Sequence, residues 1–209
     1  MPDLPKLYAI ADRATLDAHD IAVAEFAQTL ATAGIKLLQY RDKRNAPADI
    51  LTAAAAISSA FAAHQALLVM NDRADLAALA GWRAVHLGQG DLSAADAHRV
   101  LGAQGLVGLS THTDAQVIAA DASCADYLAI GPVFSTSTKL DAEPPVGLEG
   151  VRRARALTRK PLVAIGGITR QNARSVLDAG ADSVAVISGL FAPGLSLAAS
   201  VEDFLARLR

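Results

Sequence analysis

Four short apolar runs in this sequence end in polar clusters able to handle anions. They are Gln39-Tyr40-Arg41-Asp42-Lys43, Asn71-Asp72-Arg73, Gly88-Gln89-Gly90-Asp91 and Ser110-Thr111-His112-Thr113. Three later runs behave alike. One leads through Gly131-Pro132 to Ser135-Thr136-Ser137-Thr138-Lys139, and the others end in Gly166-Gly167 and Ser188-Gly189. Arg41, Lys43 and Lys139 are cations suited to phosphate oxygens, the arginine as a planar fork and the lysines as point charges. Asp72 and Asp91 follow consecutive runs, and two carboxylates with substrate phosphate oxygens suit Mg2+. Glycines at Gly166 and Gly167 let backbone N–H groups approach an anion closely, and Thr169 just beyond opens a helical stretch whose N-terminus favours negative charge.

Each feature alone has a simpler reading. Asp72 also fits an N-cap and Asp91 a turn residue, Gly166 and Gly167 a tight turn, and a lone cation a solvated surface charge. From position alone the metal and the capping readings are evenly matched. His86 lies inside an apolar run and reads as a core histidine; His112 has no partner in sequence that would make it a base. Cys124 reads as structural. No Walker-type loop, Gly-x-Gly-x-x-Gly pattern, zinc ligand spacing or Ser–His–Asp arrangement stands out.

The clusters need a scaffold that gathers them. The apolar runs are Leu7–Ala11, Ile35–Gln39, Ala66–Met70, Ala84–Leu87, Leu106–Leu109, Tyr127–Ile130, Leu162–Ile165 and Ser183–Ile187. Most are continuously apolar, as in strands buried on both faces, and Ala-rich helical stretches separate them. Thr113 to Gln116 forms a capping box, with a weaker one at Ser93 to Asp96. Pro47 suits a first helical turn, and Gly34 and Gly180 suit helix ends. Eight strand–helix alternations predict an α/β fold, a single (β/α)8 TIM barrel domain spanning 1–209. An open doubly wound sheet is the runner-up and leaves strands over. In such a barrel every strand's C-terminal end reaches one rim, where the chemistry sits and phosphate sites often follow strands seven and eight. The segment from Phe134 to Val146 is long for a loop on this rim and reads as a lid or a plain surface loop.

Composition narrows the function classes. Hydrophobic residues make up 52% of the 209, charged residues 19% and aromatics 4%, so the core rests on Ala, Val, Leu and Ile. The formal charge of −2 gives no basis for nucleic-acid or membrane-surface binding. One cysteine excludes an internal disulfide and suits a reducing compartment. With no signal-like N-terminus and no apolar stretch long enough for a span, the expectation is a cytoplasmic protein acting on small phosphorylated molecules, with homo-oligomerisation left open.

Taken together and in order, these motifs resemble the thiamine phosphate synthase family. The resemblance runs from Leu7 to about Gly189 and includes His86-Leu87-Gly88-Gln89-Gly90-Asp91-Leu92, Ala164-Ile165-Gly166-Gly167-Ile168 and Val186-Ile187-Ser188. It implies a transferase that couples a pyrimidinylmethyl diphosphate to a thiazole phosphate, giving thiamine monophosphate and pyrophosphate. It also implies roles. Gln39 contacts the pyrimidine. Arg41, Lys43, Asn71, Ser110 and Lys139 hold the diphosphate, with Arg41, Ser110 and Lys139 taken as catalytic. Asp72 and Asp91 bind magnesium, and Thr136, Thr138, Gly167, Ile187 and Ser188 meet the thiazole phosphate. The alternatives are a thiazole tautomerase of the same fold, which can carry a histidine at the position of Pro132, and a non-catalytic phosphate-ligand binder. The retained acidic and basic residues favour the synthase. Leu140, Gly90 and Gly189 depart from the residues common at those positions.

Overall fold

The computed structural model describes residues 4–136 and 143–209. Eight parallel strands close into a barrel in chain order. They are β1 (Leu7–Asp12), β2 (Leu37–Arg41), β3 (Leu67–Asn71), β4 (Ala84–Leu87), β5 (Leu106–Thr111), β6 (Tyr127–Ile130), β7 (Leu162–Ile165) and β8 (Ser183–Val186). Closure is completed by β1 pairing with β8, with Tyr8 in register with Ala185. The expected runs and the observed strands agree to within two residues at either end.

Two cores explain why the runs are apolar throughout. Alternate residues point into the barrel: Tyr8, Ile10, Leu37, Val69, Ala84, Tyr127, Ala129, Val163 and Ala185 pack there as one cluster. The other parity, including Leu38, Met70, Val85, Val107, Leu128 and Val184, packs outward against the helices. A strand buried on both faces must be apolar at every position, which removes the alternation seen in half-exposed strands. The inward cluster stops short of the rim, and from there the same parity carries polar side chains.

The helices that cover the outside are α1 (Arg13–Ala18), α2 (Val23–Thr32), α3 (Pro47–Phe61), α4 (Ala74–Leu79), α5 (Ala94–Leu101), α6 (Asp114–Ala122), α7 (Gly147–Leu157), α8 (Ala173–Asp178) and α9 (Leu197–Arg207). Their ends follow local chemistry. Thr113 and Gln116 make the full capping box of α6. Ser93 accepts from the Asp96 amide at the start of α5, but its hydroxyl donates to the Asp96 side chain, so the reciprocal half of the box is replaced. Pro47 opens α3. Gly34 takes a φ of 83° beyond α2, a left-handed conformation that lets the chain turn back into β2.

Candidate functional site

The rim ends of the strands surround one open cavity. Among its lining residues are Gln39 and Arg41 on β2 with Lys43 just beyond it, Asn71 at the end of β3 with Asp72 just beyond it, Asp91 after β4 and Ser110 on β5. Thr136, Gly167, Ile187 and Ser188 line the opposite side. Thr138 and Lys139 lie outside the described residues. The other residues to which the resemblance assigns a substrate or the metal all line this same space.

The cationic side is built from ion pairs. Arg41 Nη1 pairs with the Asp12 carboxylate, which is buried at 3% exposure. Asp12 is held from its other oxygen by the Thr15 amide at 2.9 Å and the Thr15 hydroxyl at 2.8 Å, so it caps α1 while it orients Arg41. Lys43 Nζ lies 2.9 Å from Asp72 Oδ2. Asn71 Nδ2 is buried beside them with no partner among the described residues, a donor left for a ligand oxygen.

Asp72 and Asp91 form a carboxylate pair. Asp72 has a φ of 62°, a left-handed conformation uncommon for a residue with a side chain. It does not cap a helix, because the N-cap of α4 is Arg73, which makes no capping bond. The Asp91 carboxylate accepts the Gly88 amide at 2.7 Å and so closes a turn. Burial raises its proton affinity, the Gly88 amide opposes this, and the neighbouring charge of Asp72 together with a side-chain hydrogen bond to it raises it again. Two crowded acids of this kind suit a hard cation, and magnesium commonly takes one or two carboxylates with waters and phosphate oxygens. Among the described residues, no group of three or more His, Cys, Asp or Glu side chains is placed to hold a metal.

The opposite side is made of backbone. Gly166 and Gly167 have φ values of 99° and 63°. A Cβ on Gly167 would fall 2.6 Å from the Ser135 carbonyl oxygen and 2.8 Å from Phe134 Cβ. Glycine is thus required for the turn to pack beneath the loop after β6, whatever else it binds. The helix expected at Thr169 begins later, at Ala173, and the Thr169 amide is taken by Asn172 Oδ1 at 2.7 Å. That N–H is therefore committed to the turn. Beyond β8, Ser188 to Leu190 form a short 3-10 turn with Ile187 as its N-cap.

The floor carries a set of hydrogen bonds that no local sequence pattern announces. Gln39 Nε2 donates to Tyr8 Oη at 2.8 Å, Tyr8 Oη lies 3.1 Å from Tyr127 Oη, and Tyr127 Oη lies 3.0 Å from His86 Nδ1. His86 Nε2 then meets Ser110 Oγ at 2.9 Å. Burial lowers the His86 pKa to about 4, with a smaller opposing effect of Asp91, so the ring is neutral near pH 7. Burial also raises the Tyr8 and Tyr127 hydroxyls well above the ordinary phenol range. His86 is thus a wall histidine, as its run suggests, but one joined to Ser110. His112 lines the cavity with Nδ1 at 2.5 Å from the Gly131 carbonyl oxygen. Cys124 is exposed rather than part of the packing. Asp12 was discoverable, since it directly follows the first apolar run, at the same rim as the other clusters.

The segment that reads as a lid or a plain surface loop lies partly outside the described residues, and its described ends are tied down beside β6. The Val146 amide donates to the Pro132 carbonyl at 2.8 Å and the Gly147 amide to that of Val133 at 3.0 Å. Glu143, near its return, lines the cavity. No helix among the described residues is long and apolar enough to cross a membrane.

Comparison with known proteins shows the family to which a barrel of this kind belongs. A family model described as thiamine monophosphate synthase matches residues 7–190. The chain is 50% identical over 189 residues to the thiamine-phosphate synthase of Koribacter versatilis, covering 90% of this chain and 89% of that one. It is 41% identical to the thiamine-phosphate synthase of Albidiferax ferrireducens over 187 residues, 90% and 84% of the two chains. Among solved structures it is similar to thiamine phosphate pyrophosphorylase from Pyrococcus furiosus, with a TM-score of 0.86, 29% identity, and coverage of 97% and 95%.

Proposed function

The chain belongs to the thiamine monophosphate synthase family, and on that premise we propose how its rim residues make thiamine monophosphate. As a thiamine-phosphate synthase it is a transferase. It joins the methylene carbon of an aminopyrimidinylmethyl diphosphate to the nitrogen of a methylthiazole bearing a phosphoethyl arm, and releases pyrophosphate. The observation that carries the division of labour is the asymmetry of the cavity: cations, the Asp72–Asp91 pair and a spare amide donor lie on one side, and a glycine turn with hydroxyls on the other.

Breaking the bond between the methylene carbon and the diphosphate oxygen leaves negative charge on the departing group. Arg41, Lys43, Asn71 and Ser110 offer donors to that group, and Lys139 is assigned to it as well. Asp72 and Asp91 are the residues that would hold Mg2+, which when bound supplies further positive charge to the leaving diphosphate. Arg41 is already held by the buried Asp12 carboxylate, so little ordering of its side chain remains when the anion arrives. The electron-rich aminopyrimidine stabilises the positive charge left on its methylene, and Gln39 holds that ring. The thiazole nitrogen already carries a lone pair, so its attack needs no strong base from the protein. Thr136, Thr138, Gly167, Ile187 and Ser188 hold the thiazole phosphate in line. The cavity walls also keep water from trapping the carbocation.

The test is direct. Purified protein, both substrates and Mg2+ are expected to give thiamine monophosphate and pyrophosphate in equal amounts. A well-folded preparation that gives neither overturns the reading.

A further inference from the structure

Gln39 and Ser110, which line the cavity from β2 and β5, are joined beneath it through three buried side chains from three further strands. Tyr127 is 1% exposed, Tyr8 1% and His86 8%, so their polar atoms must find partners inside the protein. Each hydroxyl has one proton to give, and a neutral imidazole has one N–H and one bare nitrogen. Those limits leave only two continuous arrangements, set apart by the orientation of the Gln39 amide.

Gln39 gives an N–H to Tyr8. The Tyr8 proton is then used only if it goes to Tyr127, and the Tyr127 proton only if it goes to His86 Nδ1. The remaining N–H of His86, on Nε2, then goes to Ser110 Oγ. If Tyr127 instead donated to Tyr8, the Tyr8 proton would face the barrel interior with no acceptor among the bonds that surround it. The opposite sense is equally continuous but needs the Gln39 amide turned over, so the two ends always change together.

We propose that Tyr8, Tyr127 and His86 are positioning residues that fix hydrogen-bond polarity at both ends of the pyrimidine diphosphate site, leaving Gln39 Oε1 as an acceptor and the Ser110 hydroxyl as a donor. This rests on the function proposed above and deepens it. The amino group of the pyrimidine is a donor and matches Gln39 Oε1. The diphosphate oxygens only accept and match Ser110 O–H. In the reverse sense both ends would meet the ligand with the wrong group, donor to donor and lone pair to anion. The chain thereby discriminates against a pyrimidine in which oxygen replaces the exocyclic amino group, a change that turns a donor into an acceptor. The space for it is specific too, since Gly108 has no side chain where the Tyr127 ring passes.

The experiment compares kcat/KM for the aminopyrimidinylmethyl diphosphate and its oxo analogue in the wild type, Tyr8→Phe and Tyr127→Phe. Both substitutions keep the ring and remove only the hydroxyl. The wild type is expected to prefer the amino compound by at least about 100-fold. Each variant is expected to lose about tenfold or more of that preference while KM for the thiazole phosphate stays within about twofold. A purely structural role would lower the unfolding midpoint and leave the amino-to-oxo ratio intact. An unchanged ratio in either folded variant overturns the polarity chain. If one variant fails to fold, the ratio in the other decides. A wild type that forms no thiamine monophosphate overturns the proposed function itself and, with it, the ligand assignment, which is a different outcome from active variants with full discrimination.

Discussion

The ring of Tyr127 occupies the place that a side chain at Gly108 would need: a Cβ built on Gly108 falls 2.1 Å from Tyr127 Cζ and 2.5 Å from two further ring carbons. The two residues sit on neighbouring strands in register, so neither moves without bending the barrel wall. Glycine in the middle of β5 is thus not a turn signal. It is the space through which a tyrosine from β6 reaches the centre of the barrel and the hydroxyl of Tyr8.

Gly108→Ala is expected to destabilise the fold by about 1–3 kcal/mol, the usual cost of overpacking a filled core. Urea unfolding followed by circular dichroism measures this. Combining it with Tyr127→Leu should recover part of the loss, because the planar ring that meets the new methyl is gone. A Gly108→Ala midpoint equal to that of the wild type would show that the wall gives way more easily than this packing implies.

Asp12 holds α1 and Arg41 at once, and Asp12→Asn separates the two duties. The amide oxygen can still accept from the Thr15 amide, but the negative charge opposite Arg41 is lost. Stability is expected to fall by about 1.5–3 kcal/mol, the range for a hydrogen bond to a charged group. KM for the pyrimidine diphosphate should rise several-fold while that for the thiazole phosphate is unchanged. Steady-state kinetics with each substrate varied in turn distinguishes this from a general loss of fold, which would lower kcat for both.

Much of this was legible in the sequence, and the reason is parity. Once a strand is buried on both faces, every second residue points inward, and the inward set continues to the rim. Leu37 leads to Gln39 and Arg41, Val69 to Asn71, Ala84 to His86, and Ala185 to Ile187. An apolar run followed by a polar cluster is the linear trace of that geometry. What could not be read is what crosses the barrel. Tyr8 and Tyr127 are 119 residues apart and look like ordinary core aromatics until the sheet closes. The helix N-terminus expected at Thr169 failed for a local reason: Asn172 reaches back to the Thr169 amide and delays the helix to Ala173. Asp72 is balanced between cap and ligand in the sequence, and the cap reading falls because the N-cap of α4 is Arg73, one residue later.

Asp72→Gly exploits that backbone. Relief of a left-handed residue gains roughly 1 kcal/mol, and the greater freedom of glycine in the unfolded chain costs a similar amount. The ion pair with Lys43, half exposed, contributes little more than that. Stability should therefore stay within about 1 kcal/mol of the wild type, whereas activity should fall by about 100-fold or more as a carboxylate assigned to Mg2+ is lost. Thermal melts and product formation at several Mg2+ concentrations test both halves. Activity close to that of the wild type in Asp72→Gly and also in Asp91→Ala would remove the basis for assigning the pair to the metal.

His86 gives the fold a pH dependence whose sign follows from its burial. Its folded pKa is about 4, against 6.5 for a free imidazole. Between those values the unfolded chain takes up a proton that the folded chain refuses, so falling pH favours unfolding. The stability at stake is complete above about pH 6.5 and is lost as the pH drops toward 4, amounting to roughly 3 kcal/mol at the lower end. The groups that face the ring are the Tyr127 and Ser110 hydroxyls, neither of which titrates in that window, and the charge of Asp91, which opposes the shift. His86→Gln removes the titrating group and retains an amide that can donate and accept. Denaturant midpoints of both proteins, converted to unfolding free energies at several pH values across the window, should show the wild type losing stability faster than the variant as acid is added. Parallel curves would mean that His86 takes up its proton inside the barrel as readily as in the unfolded chain, and the neutral link to Ser110 would go with it.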